Sequence, residues 1–454
     1  MSILNQIGYS GVNAAKVALN TTAQNIANSQ TAGFSRLDTQ FSSLAGSSAL
    51  RAGGGVQVSS IRRLSNDFDN QQLWRATSVQ QFHQGAQQYF TAVEQLMASD
   101  GSSISIGLDQ LFAALSGASA TPDSIALRQQ IISEAGNLAQ RFNGLGGNLQ
   151  AQLDGLQAQR STMVQEVNGL SGNIAELNRS IVETQASGGD TNALRDQRDV
   201  LVQQLAQHAA LRIHEDAKGA LEVSLTNGQP LVAGNRAASL SVTREADGTQ
   251  SMALRFADTD FALREDSLGG ALGGLHEAEY GVLRPQQTAL QDMASALAGL
   301  VNSTLAGGFD LNGTAGKPLF TFQANSSAML VLNPLAPGEL ALSSAADEKG
   351  NNENLLKLVA LKDQGVVVAG NTLTLNDAYA TLLGQVASAS RQNQSDLNTA
   401  TGVTTQAKAR RDSVSAVNRD EEAIALMDYQ QAYQANMKVI STANQIFDEL
   451  LAAF

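Results

Sequence analysis

The feature that most restricts how this chain can fold lies at its very end. Leu426, Tyr433, Ile440, Phe447 and Phe454 recur every seven residues, and Ala423, Gln430, Met437, Asn444 and Leu451 stand three residues before each of them. Together they make an a/d stripe that reaches the last residue, the pattern of a coiled-coil helix. Gln430 and Asn444 are polar at a positions, which weakens a seam but can fix its register. The N-terminal segment carries two neighbouring stripes, Val12, Ala15, Leu19, Thr22, Ile26 and Leu4, Ile7, Gly11, Ala14, Ala18. An apolar surface this wide, built partly from small residues, suits close contact with more than one helix. Both ends of the chain therefore want partners, and their mutual pairing is the hypothesis this raises.

Between the ends, Leu149, Leu153, Leu156, Arg160, Met163, Val167, Leu170, Ile174, Leu177 and Ile181 alternate steps of four and three. That reads as a coiled-coil seam interrupted once, by Arg160. "ASGGDT" ends it, and "NALRDQRDVLVQQLAQHA" reads as a second, antiparallel helix. From Leu211 to Leu263 the period changes to alternation, with Asn-Gly and Asp-Gly turns that predict hairpins. Helix returns with "LRPQQTALQDMASALAGLVNSTL", where Pro285 is tolerated in the first turn. "KPLFTFQANSSAMLVLNP" and "GVVVAGNTLTLN" read as extended or irregular, and helix resumes from "DAYATLLGQ". The expected fold is mainly α with an inserted small β domain. Its parts are paired N- and C-terminal coiled-coil helices (1–45 with 415–454), a helical-bundle domain (46–210 with 276–414) and the β domain (211–275).

Chemistry is thinly represented. The chain has no cysteine, which removes disulfides and thiol nucleophiles. His83, His208, His214 and His276 are scattered, without zinc-ligand spacing. "DTDFALREDSLG" starts like a calcium loop but has Ala262 at the fifth position and Gly269 at the twelfth. The glycine clusters at Gly53 and Gly269 lack phosphate-binding context, and no GxSxG elbow occurs. The acids of "NRDEE", Asn418 to Glu422, fit the start of a helix, where carboxylates favour the macrodipole. No metal, cofactor or catalytic residue is therefore expected, and the chain is not read as an enzyme. A net charge of −13 disfavours a general nucleic-acid binder. No run of about 18 apolar residues is present, so no membrane insertion is expected. "MSILNQIGYSG" lacks the basic and apolar regions of a cleaved secretory signal.

Two terminal motifs carry a family resemblance. "QNIANSQTAGFSR" resembles the N-terminal signature of bacterial flagellar rod, hook and hook-associated axial proteins, whose usual form has a Thr-Pro-Gly-Tyr turn. "DEEAIALMDYQQAYQANMKVISTANQIFDELL" resembles the matching C-terminal signature. The YQQAYQAN core after DEE is most similar to the members at the hook–filament junction; rod and hook proteins more usually read QRAYQAN. Internal segments such as "NGQPLVAG", "GFDLNGTAGKPLF" and "GNNENLLKLVALKD" agree, so the resemblance covers the whole chain. Departures are Ala32 for the usual Pro, Phe34 for Tyr, and Ala416 and Arg419 where Gly and an apolar residue are common. The chain is also short for the family, which implies that it lacks an outer domain of longer members.

The resemblance implies a structural subunit that joins hook to filament, needed for filament assembly. It implies export from the cytoplasm by the flagellar type III apparatus and an extracellular position in the flagellum. The termini of such proteins fold on assembly into a coiled-coil inner tube, while the middle forms outer domains; ordering them has an entropic cost, so they should be mobile in the free monomer. Implied partners are further copies in a ring or helical assembly, hook protein, the second junction protein, and a cytoplasmic export chaperone at the C-terminal helix. The expected packing residues are Leu4, Ile7, Leu19 and Ile26 with Leu426, Tyr433, Met437, Ile440, Phe447 and Leu451; Asn25, Asn28, Gly33 and Phe34 shape the signature turn. The alternatives are a hook or distal-rod protein, or a secreted coiled-coil effector or adhesin.

Overall fold

Small side chains let the two ends of the chain meet. A computed structural model describes residues 3–45 and 53–452; Phe454 of the terminal stripe lies outside the described residues. Helix α1 (Ile3–Asn28) and helix α10 (Arg419–Ala452) run antiparallel, with Asn5 opposite Asn444, Gly11 opposite Asn436 and Asn25 opposite Glu422. After α1 the chain forms an antiparallel hairpin, β1 (Leu37–Leu44) with β2 (Gly55–Arg63), packed against α1. This hairpin departs from the helical expectation around residue 45. Its alternation, Leu37, Thr39, Phe41 against Val56 and Val58, is diluted by Ser42, Ser43, Ser59 and Ser60.

The body begins with α2 (Asp67–Ala98), capped by the Asn66 carboxamide, which accepts from the Phe68 N–H, and with Asp67 and Asp69 in its first turn. Helix α3 (Ile104–Ala118) leads into α4 (Ile125–Ala186), 62 residues long, and α5 (Asn192–His208) returns along it. The expected helix is present, but its stripe has no single helical partner. The first half of α4 packs in a helical core with α2, α3 and α7 (Arg284–Ala306), around Phe90, Leu111, Phe142, Leu149 and Leu297. The second half packs in another core with α5 and strands, around Val167, Ile174, Val202, Leu205, Val223 and Leu254. Val164, Ser171 and Asn178 are buried where Met163, Leu170 and Leu177 are only half-buried. The buried line skips one residue after Arg160, where two steps of four follow one another, and then continues to Ile181 in steps of three and four.

The alternating segment forms seven strands: β3 (Leu211–Glu215), β4 (Leu221–Leu225), β5 (Pro230–Ala233), β6 (Arg236–Ala237), β7 (Ser239–Arg244), β8 (Gln250–Phe256) and β9 (Thr259–Ala262). They make two antiparallel sheets, β3-β4-β5-β6 and β7-β8-β9. Gly228 and Gly248 take the positive φ their turns demand, 90° and 79°. Leu221, Val223 and Leu225 on one sheet, and Met252 and Leu254 on the other, alternate inward to meet α4 and α5.

The return path is α6 (Gly270–Glu277), a π-helical turn at Ala278–Leu283, and then α7 with Pro285 in its first turn. Two short hairpins flank α8 (Glu353–Ala360): β10 (Phe320–Phe322) with β11 (Leu330–Leu332), and β12 (Val366–Val368) with β13 (Asn371–Leu373). Helix α9 (Leu375–Ser415) runs back along α2 and ends where α10 begins. The fold is mainly α, with small antiparallel sheets in the middle and long helices at both ends.

Candidate assembly site at the chain ends

The α1–α10 contact is built from missing side chains. The buried line of α1 is Gly8, Gly11, Ala15, Ala18, Thr22 and Asn25, at alternating steps of three and four. A Cβ on Gly8 would stand 2.7 Å from Ile440 Cγ1, and one on Gly11 would stand 2.3 Å from Asn436 Oδ1. The least exposed positions of α10 run Glu422, Leu426, Tyr429, Tyr433, Asn436, Ile440 and Ala443, with Ala425 beside them. Leu426, Tyr433 and Ile440 of the expected stripe thus face α1. Their inward partners are Glu422, Tyr429, Asn436 and Ala443, one residue before each expected a position. Ala423, Gln430, Met437, Asn444 and Leu451 are exposed in the single chain, as are Phe447 and Leu4; Ile7, Leu19 and Ile26 are half-buried.

The hairpin closes the other side of α1. Ser10 Oγ accepts from the Val56 N–H at 3.2 Å and donates to the Ile7 carbonyl at 2.7 Å. Gly55, with φ 107°, sits so close that a Cβ would meet Ser10 Oγ at 2.0 Å. A groove of about 410 Å³ remains between Ile7, Ala14, Phe41, Tyr429 and Asn436.

Beneath these faces, a polar knot ties four chain segments together. Asn25 is 1% exposed and serves Leu37 as a backbone partner would. Its Oδ1 accepts from the Leu37 N–H at 2.9 Å, and its Nδ2 donates to the Leu37 carbonyl at 2.9 Å and to Glu422 Oε2 at 3.0 Å. The other Glu422 oxygen accepts from Arg36 Nε at 2.7 Å, while Arg36 Nη1 reaches Glu421 at 2.9 Å. The Arg36 N–H donates to the Ser415 carbonyl at the end of α9, and the Arg36 carbonyl accepts from the Leu64 N–H. Arg419 Nε donates to Ser29 Oγ. Glu422 is thus more than a helix-start acid: it is a buried carboxylate with both oxygens occupied, which makes it costly to disturb.

The signature turn sits on the body. The Thr31 N–H donates to the Asn28 carbonyl, and the Phe34 N–H to the Thr31 carbonyl. Asn28 Nδ2 donates to the Gln24 carbonyl, and Asn28 Oδ1 accepts from the Thr31 hydroxyl. Gly33 at φ 80° makes residues 31–34 a type II turn, with Ala32 at the position that favours proline. A Cβ on Gly33 would also stand 2.1 Å from Val200 Cγ2, so conformation and space both require glycine. Phe34 is half-buried and lines a cavity of about 680 Å³ with Leu177, Val200 and Leu201. The Ser35 N–H donates to Asp196 Oδ2, and Arg63 Nη1 bridges Asp196 and Asp199 at 3.1 and 2.7 Å. Burial opposes the Arg63 charge, but the two carboxylates outweigh it and hold the guanidinium pKa above its usual value.

The structure therefore gathers Asn25, Asn28, Gly33 and Phe34 around one joint. It leaves Leu4, Met437, Phe447 and Leu451 on the surface. Sequence reasoning assigned no role to Arg36, Arg63 or Asp196. Arg36 closes the N-terminal motif and Asp196 lies in "RDQRD", but neither shows its partner, which is more than a hundred residues away. No helix among the described residues is long and apolar enough to cross a membrane.

The family model for the helical domain of flagellar hook-associated protein FlgK matches residues 90–320, more than half of the chain. The chain belongs to the FlgK family. Residues 411–453, which contain Glu421, Glu422 and all of α10, match the C-terminal model of flagellar basal body rod FlgEFG proteins. Flagellar hook-associated protein 1 of Salmonella typhimurium is 27% identical, with 99% of this chain and 100% of that protein covered. The protein of the same name in Bacillus subtilis is 24% identical, with 97% and 96% covered. The structure of the flagellar hook junction protein FlgK from Burkholderia pseudomallei matches 76% of this chain and 100% of its own, with a TM-score of 0.70 at 16% identity. At that identity the likeness carries the fold.

Proposed function

We propose that this chain is a structural subunit of the bacterial flagellum that forms the hook–filament junction, joining hook to filament and supporting filament assembly. The observation that carries this reading is an α1–α10 pair whose inward line is filled while its outward face stays apolar. Ile424, Met427, Phe447, Leu450 and Leu451 keep 54–63% of their surface exposed. Covering the exposed half of each contributes about 1 kcal/mol per residue in favour of association. Further copies in a ring or helical array are the natural cover, with hook protein on one side and the second junction protein on the other. In this reading the paired ends form the inner tube, and the helical and β regions form the outer body. The role is mechanical, without turnover. Before export, which proceeds without a cleaved signal peptide, the same α10 face suits a cytoplasmic chaperone.

Deletion of the gene tests the reading. Loss of filaments with hooks retained, restored by the intact chain, is the expected outcome; normal filaments in the deletion strain would refute it.

A further inference from the structure

The chain has no cysteine and eight methionines, so methionine is its only oxidisable sulfur. Met97, Met252, Met293 and Met329 are sealed in the two cores, at 3%, 4%, 0% and 2% exposure. Met163 is half-buried, and Met1 lies outside the described residues. Met427 and Met437, at 54% and 45% exposure, are different, and both belong to α10. Neither lies on the line that meets α1, so their sulfurs are spare to the fold of the single chain.

We propose that Met427 and Met437 are oxidation sites, and that their conversion to sulfoxides by a hydroperoxide blocks packing of α10 on a neighbouring copy. The blocking step rests on the assembly reading above; the site selectivity does not. In the reaction the thioether sulfur attacks the distal peroxide oxygen. An S–O bond forms and the O–O bond breaks, the sulfur is oxidised by two electrons, and the peroxide is reduced and leaves as water or alcohol. An apolar, flexible side chain becomes polar and hydrogen-bond-demanding. In the free chain water meets that demand at no cost to folding. In an apolar contact between copies nothing does, so the modification acts on association and leaves the monomer intact. Once α10 is covered by a neighbour, the sulfurs are shielded, which confines sensitivity to the unassembled subunit.

The test treats the purified full chain with hydrogen peroxide and follows each methionine by peptide mass spectrometry. Sulfoxide is expected at Met427 and Met437 at least tenfold faster than at Met97, Met252, Met293 and Met329; equal rates would overturn the proposal. Treated and untreated chain are then supplied to cells that lack it, and filaments are counted. The treated chain should support at least tenfold fewer filaments, recover after reduction by methionine sulfoxide reductases, and keep its melting temperature. The double variant M427Q/M437Q, which is polar without oxidant, should behave like the treated chain. Normal filament numbers from the doubly oxidised chain would overturn the inference. Failure of the untreated chain would overturn the assembly reading and, with it, the blocking step.

Discussion

Replacing Glu279 by Gln measures what it costs to strand a buried cation at the seam between the helical body and the β sheets. Arg160 and Glu279 are both 0% exposed and meet at 2.5 Å. Glu279 has a second partner, Arg284, whose Nε and Nη2 reach its other oxygen at 2.8 and 2.6 Å. Among the described residues, Arg160 has only Gln250 Oε1 besides, at 3.2 Å. The two halves of the pair are therefore unequal. Glu279→Gln leaves Arg160 charged and dry without its counter-charge, which costs about 3–5 kcal/mol. Arg160→Met leaves Glu279 held twice by Arg284, which is 24% exposed and solvated, so the cost falls to about 1–3 kcal/mol. The double variant removes the stranded cation and should be more stable than Glu279→Gln alone, which requires a coupling of about 3 kcal/mol, larger than the cost of Arg160→Met itself. Trp74, the only tryptophan, is buried in the core beside the strands, so its fluorescence during urea unfolding reports this seam. A Glu279→Gln variant within about 1 kcal/mol of wild type, or strict additivity in the double variant, would refute the reasoning.

Three further outcomes are expected. Asn25→Asp keeps the shape of the knot but places a second carboxylate about 3 Å from Glu422 and removes the donor to the Leu37 carbonyl. At neutral pH the new acid must take a proton, a cost of up to about 4 kcal/mol, so filament restoration in a deletion strain should be lost, whereas Asn28→Asp on the half-exposed side should retain it. Ala32→Pro sets φ at the first corner of a type II turn and should stabilise the turn by about 0.4–1 kcal/mol; unchanged thermal stability and unchanged assembly would show that alanine does not loosen it. Burial holds the His208 pKa below its usual value despite the pull of Glu166. The unfolded chain therefore binds the proton first, and stability that is full above about pH 6.5 declines as pH falls toward the lower folded-state value; Trp74-monitored unfolding should show this slope, and His208→Gln should remove it.

What the sequence determined by itself was everything with a local cause. Period-seven and period-two patterns marked the terminal helices and the β interval, because side-chain direction follows directly from backbone repeat. Asn227-Gly228 and Asp247-Gly248 marked their turns because few residues accept positive φ. The terminal motifs identified the family because both are long and specific. Tertiary structure decided which side of each stripe would be used. On α10 the line that meets α1 takes Leu426, Tyr433 and Ile440 from the heptad but pairs them with Glu422, Tyr429, Asn436 and Ala443. A helix pattern defines an apolar sector, and the glycines and alanines of the partner select where within it the backbone can come closest. On α4 the stripe of one supposed coiled coil is divided between a helical core and a sheet, with Arg160 and Glu279 at the division. The knot of Asn25, Arg36 and Glu422 was invisible for the same reason: its parts are ordinary residues nearly four hundred positions apart, and only the antiparallel return of the chain removes the water between them.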